Sequence, residues 1–362
     1  MAITIPSKRD AEISKTFISA QDRLVLQASD MSLETVAAMV EKGAIDTQPT
    51  YQRRERWNTR RQSALIESFL LNIPIPPVYL AEEAYGKYSV IDGKQRLSTI
   101  TNFMRNKLTL SELEKFKALE GLTFSKLPTE PKNALEIRPY VRVITLLKQS
   151  DPELKYEVFE RLNTGGEALY PQEIRNAAFR GSLNDLLFKL SKEKFLRQQL
   201  KISKDTEPAY LQMLDVEYVL RFLTMRSVWN DFSGDYRRSM DRFMERNREP
   251  ATSKLSELGK SFTEALTRCE KFWGKEAFKR FDGPNTRNQF LAGMYDAQMV
   301  GVTLISANRA EKLASKSMEI RRATRALFEN GPFEKWVRSG TNTRSSVEGR
   351  IGAIKTMLES IA

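Results

Sequence analysis

The sequence contains no histidine and a single cysteine, Cys269. Without histidine, the chain cannot form His-ligated zinc sites, Ser-His-Asp or Cys-His catalytic groups, or a nuclease site whose general base is histidine. A lone cysteine excludes an internal disulfide and a structural zinc site, and it fits a reducing compartment. Any chemistry in this chain therefore uses carboxylates, lysine, arginine, tyrosine or amides, with or without Mg²⁺.

Long apolar runs are also missing. No segment approaches the ~18 uninterrupted apolar residues that a membrane span needs. The first residues, MAITIPSKRDAEISKTF, lack the continuous apolar core of a signal peptide. We therefore expect a soluble, cytoplasmic protein with no membrane partner.

Positive charge, by contrast, is in excess. The chain has 58 lysines and arginines against 46 acidic residues, which gives a net charge of +12 and a pI near 9.6. A charge of this size favours an anionic partner, with nucleic acid or nucleotide ahead of a membrane surface.

Length and patterning predict two domains. At 362 residues, 41% apolar and 29% charged, the chain can bury a sizeable core. Strand and helix patterns alternate in the first half, with strands at KYSVID and EIRPYVRVITLL and a helix over residues 58–71. From Ser182 onward apolar residues recur every three to four positions, including RNQFLAGMYDAQMVGVTLI. We predict an α+β domain over residues 1–181 and a mostly helical domain over residues 182–362.

The stretch VIDGKQR is the first candidate site. Gly93 permits a sharp turn and a close approach of a ligand to the backbone, and the helix that follows presents N–H groups that suit phosphate. Lys94 and Arg96 add positive charge, and Asp92 would hold Mg²⁺ or orient an attacking water. The alternative is a capping box, with Asp92 as N-cap and Gln95 three residues later.

A second candidate is YQRRERW, where three arginines lie between Tyr51 and Trp57. Such interleaving suits phosphate contacts combined with base stacking. The alternative is a solvated basic edge whose two aromatic side chains pack inward.

A third candidate is FERLNTGGEALYPQEIRNAAF. Asn163 and Thr164, followed by Gly165, can form an anion pocket lined by backbone. Glu173 and Arg175, on the next predicted helix, are placed to reach the same pocket. The alternative is a linker in which the glycines only reverse the chain.

Two basic stretches, RRSMDRFMERNR and EIRRATR, lie in the helical half. Arg237, Arg238 and Arg242 of the first are candidates for contacts with a nucleic-acid backbone. Because acidic residues are interspersed, solvated helix faces are the alternative.

Three stretches occur in this order and spacing: YQRRERW, then NIPIPPVYL leading to VIDGKQRLSTITNF, then FERLNTGGEAL with EIRNAAF. Together they resemble the N-terminal domain family of GmrSD-type restriction endonucleases. The family signature Asp-Gly-Gln-Gln-Arg falls on Asp92, Gly93, Gln95 and Arg96, and Lys94 replaces its first glutamine. The resemblance implies a ParB/sulfiredoxin-like α/β core in the first domain. It also implies a nucleotide-binding, NTP-hydrolysing and DNA-sensing subunit of a prokaryotic restriction or anti-phage system, using Mg²⁺ with a nucleoside triphosphate.

The resemblance also assigns residues to roles. Asp92 and Gln95 are the catalytic candidates, and Asp92 is the metal ligand. The candidates for nucleotide or phosphate binding are Tyr51, Gln52, Arg53, Gly93, Lys94, Arg96, Asn163, Thr164 and Gly165. From the basic stretches rather than from the resemblance, the candidates for nucleic-acid binding are Arg54, Arg56, Arg237, Arg238 and Arg242.

Partners and alternatives follow from the same residues. Members of the family often work with a His-dependent HNH nuclease, so in a chain without histidine we expect cleavage to fall to a separate effector nuclease subunit. A non-enzymatic nucleic-acid adaptor or antitoxin-like partner is one alternative. A metal-dependent nuclease using Asp92 with Glu55 or Glu173 is another. Whether the chain is an enzyme and whether it forms a homo-oligomer stay open at this point.

Overall fold

The computed structural model describes residues 9, 12–17, 23–47, 57–151, 154, 157–158, 161–162, 170–282, 285–329 and 331–361. The chain divides into two compact units, Met1–Ala178 and Phe179–Ala362. The predicted α+β class is confirmed, because the first unit contains a mixed sheet and the second is mostly helical. Nine candidate residues lie outside the described part of the chain: Tyr51, Gln52, Arg53, Arg54, Glu55, Arg56, Asn163, Thr164 and Gly165.

The first unit is built on a five-stranded sheet of order β1-β5-β3-β4-β2. Its strands are β1 (Leu26–Ser32), β2 (Ile45–Asp46), β3 (Val78–Ala84), β4 (Lys87–Asp92) and β5 (Tyr140–Leu146). Its helices are α1 (Leu33–Glu41), α2 (Thr59–Leu70), α3 (Lys94–Met104), α4 (Thr129–Ile137) and α5 (Pro171–Ala178). The β1–β5 and β3–β4 pairs are antiparallel, whereas β3–β5 and β2–β4 are parallel.

Local signals explain where these helices begin. The Ser32 hydroxyl accepts a hydrogen bond from the Thr35 N–H at 3.2 Å, and the Asn58 side chain accepts one from the Arg61 N–H at 3.0 Å. Each bond satisfies one of the donors that a helix N-terminus leaves unpaired. The predicted helix over residues 58–71 and the predicted strand KYSVID are therefore confirmed almost to the residue.

Apolar packing differs on the two faces of the sheet. The larger core includes Val78, Val90 and Val143 of the strands together with residues of α1, α2, α3 and α4. On the opposite face Ile174 of α5 packs with Ile91 of β4 in a smaller cluster. Helix α5 thus lies against the strand that leads into the VIDGKQR turn.

The second unit contains eleven labelled helices within its described residues. They are α6 (Ser182–Leu190), α7 (Lys194–Gln199), α8 (Pro208–Leu211), α9 (Leu214–Val228), α10 (Tyr236–Arg246), α11 (Thr252–Trp273), α12 (Ala292–Gly301), α13 (Ala307–Leu313), α14 (Ser317–Glu329), α15 (Phe333–Arg338) and α16 (Arg344–Ile361). A hairpin of β6 (Lys279–Asp282) and β7 (Asn285–Phe290) interrupts them. Among the described segments, no helix combines the length and low charge needed to cross a bilayer.

The hairpin corrects one prediction. We expected RNQFLAGMYDAQMVGVTLI to be helical throughout, but Arg287–Phe290 is strand and the helix begins at Ala292. The Leu291 N–H donates to the Phe278 carbonyl at 2.8 Å, which extends the strand pairing to the start of α12. The turn-forming sequence DGPN upstream favours such a hairpin, and this signal outweighs the apolar spacing at the helix boundary.

A buried ionic network joins four helices of the second unit. Asp296 of α12 accepts two hydrogen bonds from Arg221 of α9, both at 2.7 Å, and one from Arg350 of α16, also at 2.7 Å. The Tyr236 hydroxyl of α10 donates to the same carboxylate at 2.8 Å. Because the side chains of Asp296 and Arg350 are both fully buried, this network is part of the core.

Candidate phosphate site after strand β4

The turn between β4 and α3 requires its glycine. Gly93 has φ 96° and ψ 13°, in the left-handed region that side chains other than glycine rarely adopt. A Cβ atom at this position would lie 2.8 Å from the Val78 Cγ2 atom and 3.1 Å from the Arg96 Nη2 atom. Both backbone conformation and space therefore demand glycine, and β4 can pass into α3 within one residue.

The carboxylate of Asp92 is held from two sides. One oxygen accepts a hydrogen bond from the Gly93 N–H at 2.7 Å, and the other accepts one from the Arg96 Nη2 atom at 2.7 Å. Arg96 also donates to the Pro76 carbonyl at 2.9 Å, and its side chain is only 10% exposed. Arg96 thus braces the turn against the proline-containing loop before β3, whereas the Asp92 side chain stays 39% exposed.

The capping-box alternative for this turn is wrong. The N-cap is Gly93, not Asp92, and it provides no side-chain cap. Because Gly93 is inserted between Asp92 and the first helical residue, Gln95 becomes the second residue of the helix and cannot complete the box. The N-cap residue of α3 therefore supplies no side-chain cap of its own, and the N-terminus of a helix is a position that suits an anion.

Gln95 instead links two of the motifs. Its side-chain oxygen accepts a hydrogen bond from the Trp57 N–H at 3.2 Å, and the Gln62 side chain donates to the Trp57 carbonyl at 2.8 Å. The Trp57 ring is partly buried against the larger core, as the alternative reading of YQRRERW predicted for this residue. The last residue of YQRRERW is thereby fixed at the N-terminus of α3.

Helix α5 brings buried polar side chains to the other face of β4. Glu173 and Arg175, predicted to reach the pocket of Asn163 to Gly165, are each 1% exposed, and a Glu173 oxygen accepts a hydrogen bond from the Tyr170 N–H at 2.8 Å. Gln172 and Asn176, which were not predicted, are fully buried.

These α5 side chains bond to one another. The Gln172 amide donates to the Asn176 oxygen at 2.9 Å, and Arg175 donates to the Gln172 oxygen at 3.3 Å. The sequence signal for this cluster is the run QEIRN. It puts polar residues on more than one side of a short helix, so a helix that packs against the sheet must bury some of them.

A metal at this turn would draw on few protein ligands. Within the described ranges, no group of three or more acidic or cysteine side chains is placed to hold a metal ion. Mg²⁺ bound with a nucleotide typically takes one or two carboxylates and completes its shell with phosphate oxygens and water. The partly exposed carboxylate of Asp92 fits that requirement.

Helix α10 presents a basic stripe. Arg237, Arg238 and Arg242, predicted to contact nucleic acid, are exposed, and Arg246 extends the four-residue spacing of Arg238 and Arg242. None of Arg238, Arg242 and Arg246 forms an ion pair with any residue that the structure describes. In EIRRATR, by contrast, Arg325 is bonded to Glu276 at 3.1 Å.

Comparison with known proteins agrees with the motifs. Residues 36–180 match the family model described as GmrSD restriction endonuclease, N-terminal domain. No curated protein and no solved structure matches the chain, so the ParB/sulfiredoxin-like core stays a prediction. The match suggests a component of a restriction or anti-phage system. The resemblance predicted from the motifs is therefore confirmed over residues 36–180, which match the N-terminal domain family of GmrSD restriction endonucleases.

Proposed function

We propose that the chain is a nucleotide-binding, DNA-sensing subunit of a restriction-type system, which binds a nucleoside triphosphate with Mg²⁺ at the β4–α3 turn. The observation that carries this proposal is the N-terminus of α3, which begins at a left-handed glycine without a side-chain cap. Such a terminus attracts phosphate through backbone N–H groups and the helix dipole.

The proposal gives each side chain around the turn a different role. Lys94, at the first helical position, adds a formal positive charge next to the phosphates. Asp92 supplies an oxygen to Mg²⁺ or orients the attacking water, and Arg96 keeps that carboxylate in place. Gln95 positions Trp57, the last residue of YQRRERW, at the same helix end. The proposal also assigns phosphate contacts to Arg53, Asn163, Thr164 and Gly165, which lie outside the described residues.

DNA and a nuclease partner belong to the same proposal. The matched family is named for restriction endonucleases, whose substrate is DNA. The exposed guanidiniums of α10 are suited to contact its phosphates. Because the chain contains no histidine, a His-dependent cut would be made by a separate effector subunit.

The test is equilibrium binding and turnover of ATP, GTP, CTP and UTP with Mg²⁺. Wild type is compared with Lys94→Ala and Asp92→Asn, and Lys107→Ala serves as the control because it removes an exposed lysine beyond the opposite end of α3. We expect saturable binding that Lys94→Ala weakens about tenfold or more, as loss of a charged phosphate contact should. Lys107→Ala should bind like wild type. Folded wild-type protein that binds none of the four nucleotides would overturn the nucleotide site.

A non-enzymatic adaptor is the second candidate, and one observation favours it. Both Nη atoms of Arg96 are bonded within the protein, and Lys94 replaces a signature glutamine, so the turn is also consistent with a structural role. An adaptor would bind DNA with equal affinity in the presence and absence of nucleotide. The nuclease alternative gains no such support, because Glu173 is buried and bonded to the Tyr170 backbone.

A further inference from the structure

The outer strand of the five-stranded sheet, β1, has one backbone edge that faces away from the sheet. In the strand order β1 is terminal, and it pairs with β5. The Leu147 N–H donates to the Val25 carbonyl at 2.9 Å, so these two residues form a hydrogen-bonded antiparallel pair at the end of the ladder. Because hydrogen-bonded pairs alternate along such a ladder, the N–H and C=O groups of Leu26, Ala28 and Asp30 point away from β5.

This outer edge has no partner within the described residues. In that part of the chain, no hydrogen bond is formed by the outward backbone groups of Leu26, Ala28 and Asp30. All three residues are exposed, and Leu26 keeps 52% of its surface in contact with solvent. A row of unpaired N–H and C=O groups is a template on which another extended strand can pair.

Strand β1 also lacks the features that normally protect an edge. Natural edge strands are short, or they carry lysine, proline or a bulge. Strand β1 has seven residues, LQASDMS, without lysine or proline, and its register with β5 is continuous. Its one charged residue, Asp30, accepts hydrogen bonds from Arg142 at 2.9 and 2.8 Å, which offset its charge. The strand at the opposite edge, β2, is only two residues long. The edge of β1 is therefore the one suited to strand pairing.

A second copy of the chain fits this edge by symmetry. Two β1 strands that run antiparallel across a twofold axis offer each other the same row of donors and acceptors. If Ala28 lies opposite Ala28 of the partner subunit, the smallest of the three outward-facing residues lies on the axis. Each Asp30 then lies opposite the partner subunit's Leu26, so the two carboxylates are kept apart. Because this pairing uses the free edge of both copies, the assembly is complete as a dimer.

We propose that the chain forms a twofold-symmetric dimer in which β1 pairs antiparallel with β1 of a second copy, with Ala28 at the axis. The pairing joins the two five-stranded sheets into one continuous sheet. The inference does not depend on nucleotide binding at the β4–α3 turn or on DNA.

The experiment is sedimentation velocity of the full chain over a concentration series, without nucleotide or DNA. Physiological salt screens the long-range repulsion between two chains of charge +12. Wild type is compared with Ala28→Lys and Ala28→Pro. Ala118→Lys is the control, because it adds the same charge at an exposed alanine between α3 and α4. Thermal unfolding of each variant shows whether it is folded.

Wild type and Ala118→Lys should show the same concentration-dependent equilibrium between monomer and dimer. Ala28→Lys places two ammonium groups opposite each other at the axis, which opposes pairing. Ala28→Pro removes an N–H that the β1–β5 pairing does not use, so the fold should persist while the dimer loses hydrogen bonds. We expect the dissociation constant of the dimer to rise about tenfold or more in both variants.

Cross-linking tests the register. In a hydrogen-bonded antiparallel pair the Cα atoms lie about 5.5 Å apart, within the range of about 4.4–6.8 Å that a disulfide spans. Mild oxidation should therefore convert Ala28→Cys into a covalent dimer, whereas Ala118→Cys should stay monomeric on a non-reducing gel. The native Cys269 is buried and does not compete.

Three results would overturn the proposal. A wild-type chain that is monomeric at every concentration would leave the edge of β1 to a strand of another protein. A dimer that neither folded Ala28 variant weakens would place the interface elsewhere. A dimer that both variants weaken, but that Ala28→Cys does not cross-link, would overturn the register with Ala28 at the axis. None of these results bears on the nucleotide site or on DNA binding.

Discussion

Arg96 holds the carboxylate of Asp92 at 2.7 Å and the carbonyl of Pro76 at 2.9 Å, so that one guanidinium connects the end of β4 to the loop before β3. Within the family signature, the arginine thereby holds the aspartate in place. If the turn binds a nucleotide as proposed, an arginine that positions the metal-binding candidate should affect that binding even without contacting phosphate.

Replacing this brace should destabilise the first unit. Because the Arg96 side chain is largely buried, Arg96→Ala leaves the Pro76 carbonyl unpaired, and we expect the free energy of unfolding to fall by about 1–3 kcal/mol. Urea denaturation measures the loss. Arg60→Ala is the matched control, because Arg60 and Glu112 form an ion pair at 3.8 Å with both side chains 65% exposed. Such a pair contributes about 0–1 kcal/mol. Equal losses in the two variants would contradict the role of Arg96 as a brace.

The turn glycine gives a second prediction. Gly93→Ala places a Cβ atom on a residue with φ 96°, at 2.8 Å from the Val78 Cγ2 atom. We therefore expect the free energy of unfolding to fall by about 1–3 kcal/mol. Gly352→Ala is the opposite case, since that helical glycine has no atom within 4 Å of an added Cβ. It should gain about 0.5–1 kcal/mol because alanine favours helix. Thermal unfolding compares the two. A neutral Gly93→Ala would show that the turn tolerates another conformation.

Glu67 of α2 provides a pH-dependent prediction. Burial raises the pKa of its carboxyl, but hydrogen bonds from the backbone N–H groups of Phe116, Glu114 and Lys115 outweigh burial and hold the pKa below its ordinary value of 4.5. Since the folded pKa lies below the unfolded one, the stabilisation is present above the unfolded pKa and is lost as the pH falls through the folded pKa.

Glu67→Gln should therefore lower stability at neutral pH by about 1–3 kcal/mol, because an amide nitrogen faces backbone donors. The difference from wild type should shrink as the pH falls below about 4.5. Urea denaturation across this pH range measures both effects. Glu136→Gln, at an exposed position of α4, should show no such pH-dependent difference. A constant difference for Glu67→Gln at all pH values would refute the mechanism.

The buried network of the second unit gives the largest expected effect. Burial raises the pKa of Asp296, but the positive charges of Arg221 and then Arg350 outweigh burial and lower the pKa below its ordinary value. Asp296→Ala leaves both guanidiniums in the core without their carboxylate, and we expect about 3–5 kcal/mol of destabilisation. Asp231→Ala removes a carboxylate that is 88% exposed and should cost far less. Calorimetric melting of the two variants decides whether the network supports the helical unit.

Short-range signals account for what could be predicted from the sequence. Asn58 caps α2 through a bond spanning three residues, and KYSVID forms a strand because its β-favouring residues end at a turn glycine. The RNQF segment shows the limit. Its apolar spacing continued a helical pattern, and strand pairing with β6 overrode that pattern.

By itself, the sequence determined the α+β class, the match of residues 36–180 to the N-terminal domain of GmrSD restriction endonucleases, the positive charge and the absence of histidine chemistry, since these depend on composition, motifs and local periodicity. Tertiary structure decided which groups meet. Gln95 bonds to Trp57 across 38 positions, and Arg350 meets Asp296 across 54. Neither partner is visible in local spacing, because such contacts exist only once the sheet and helices have packed.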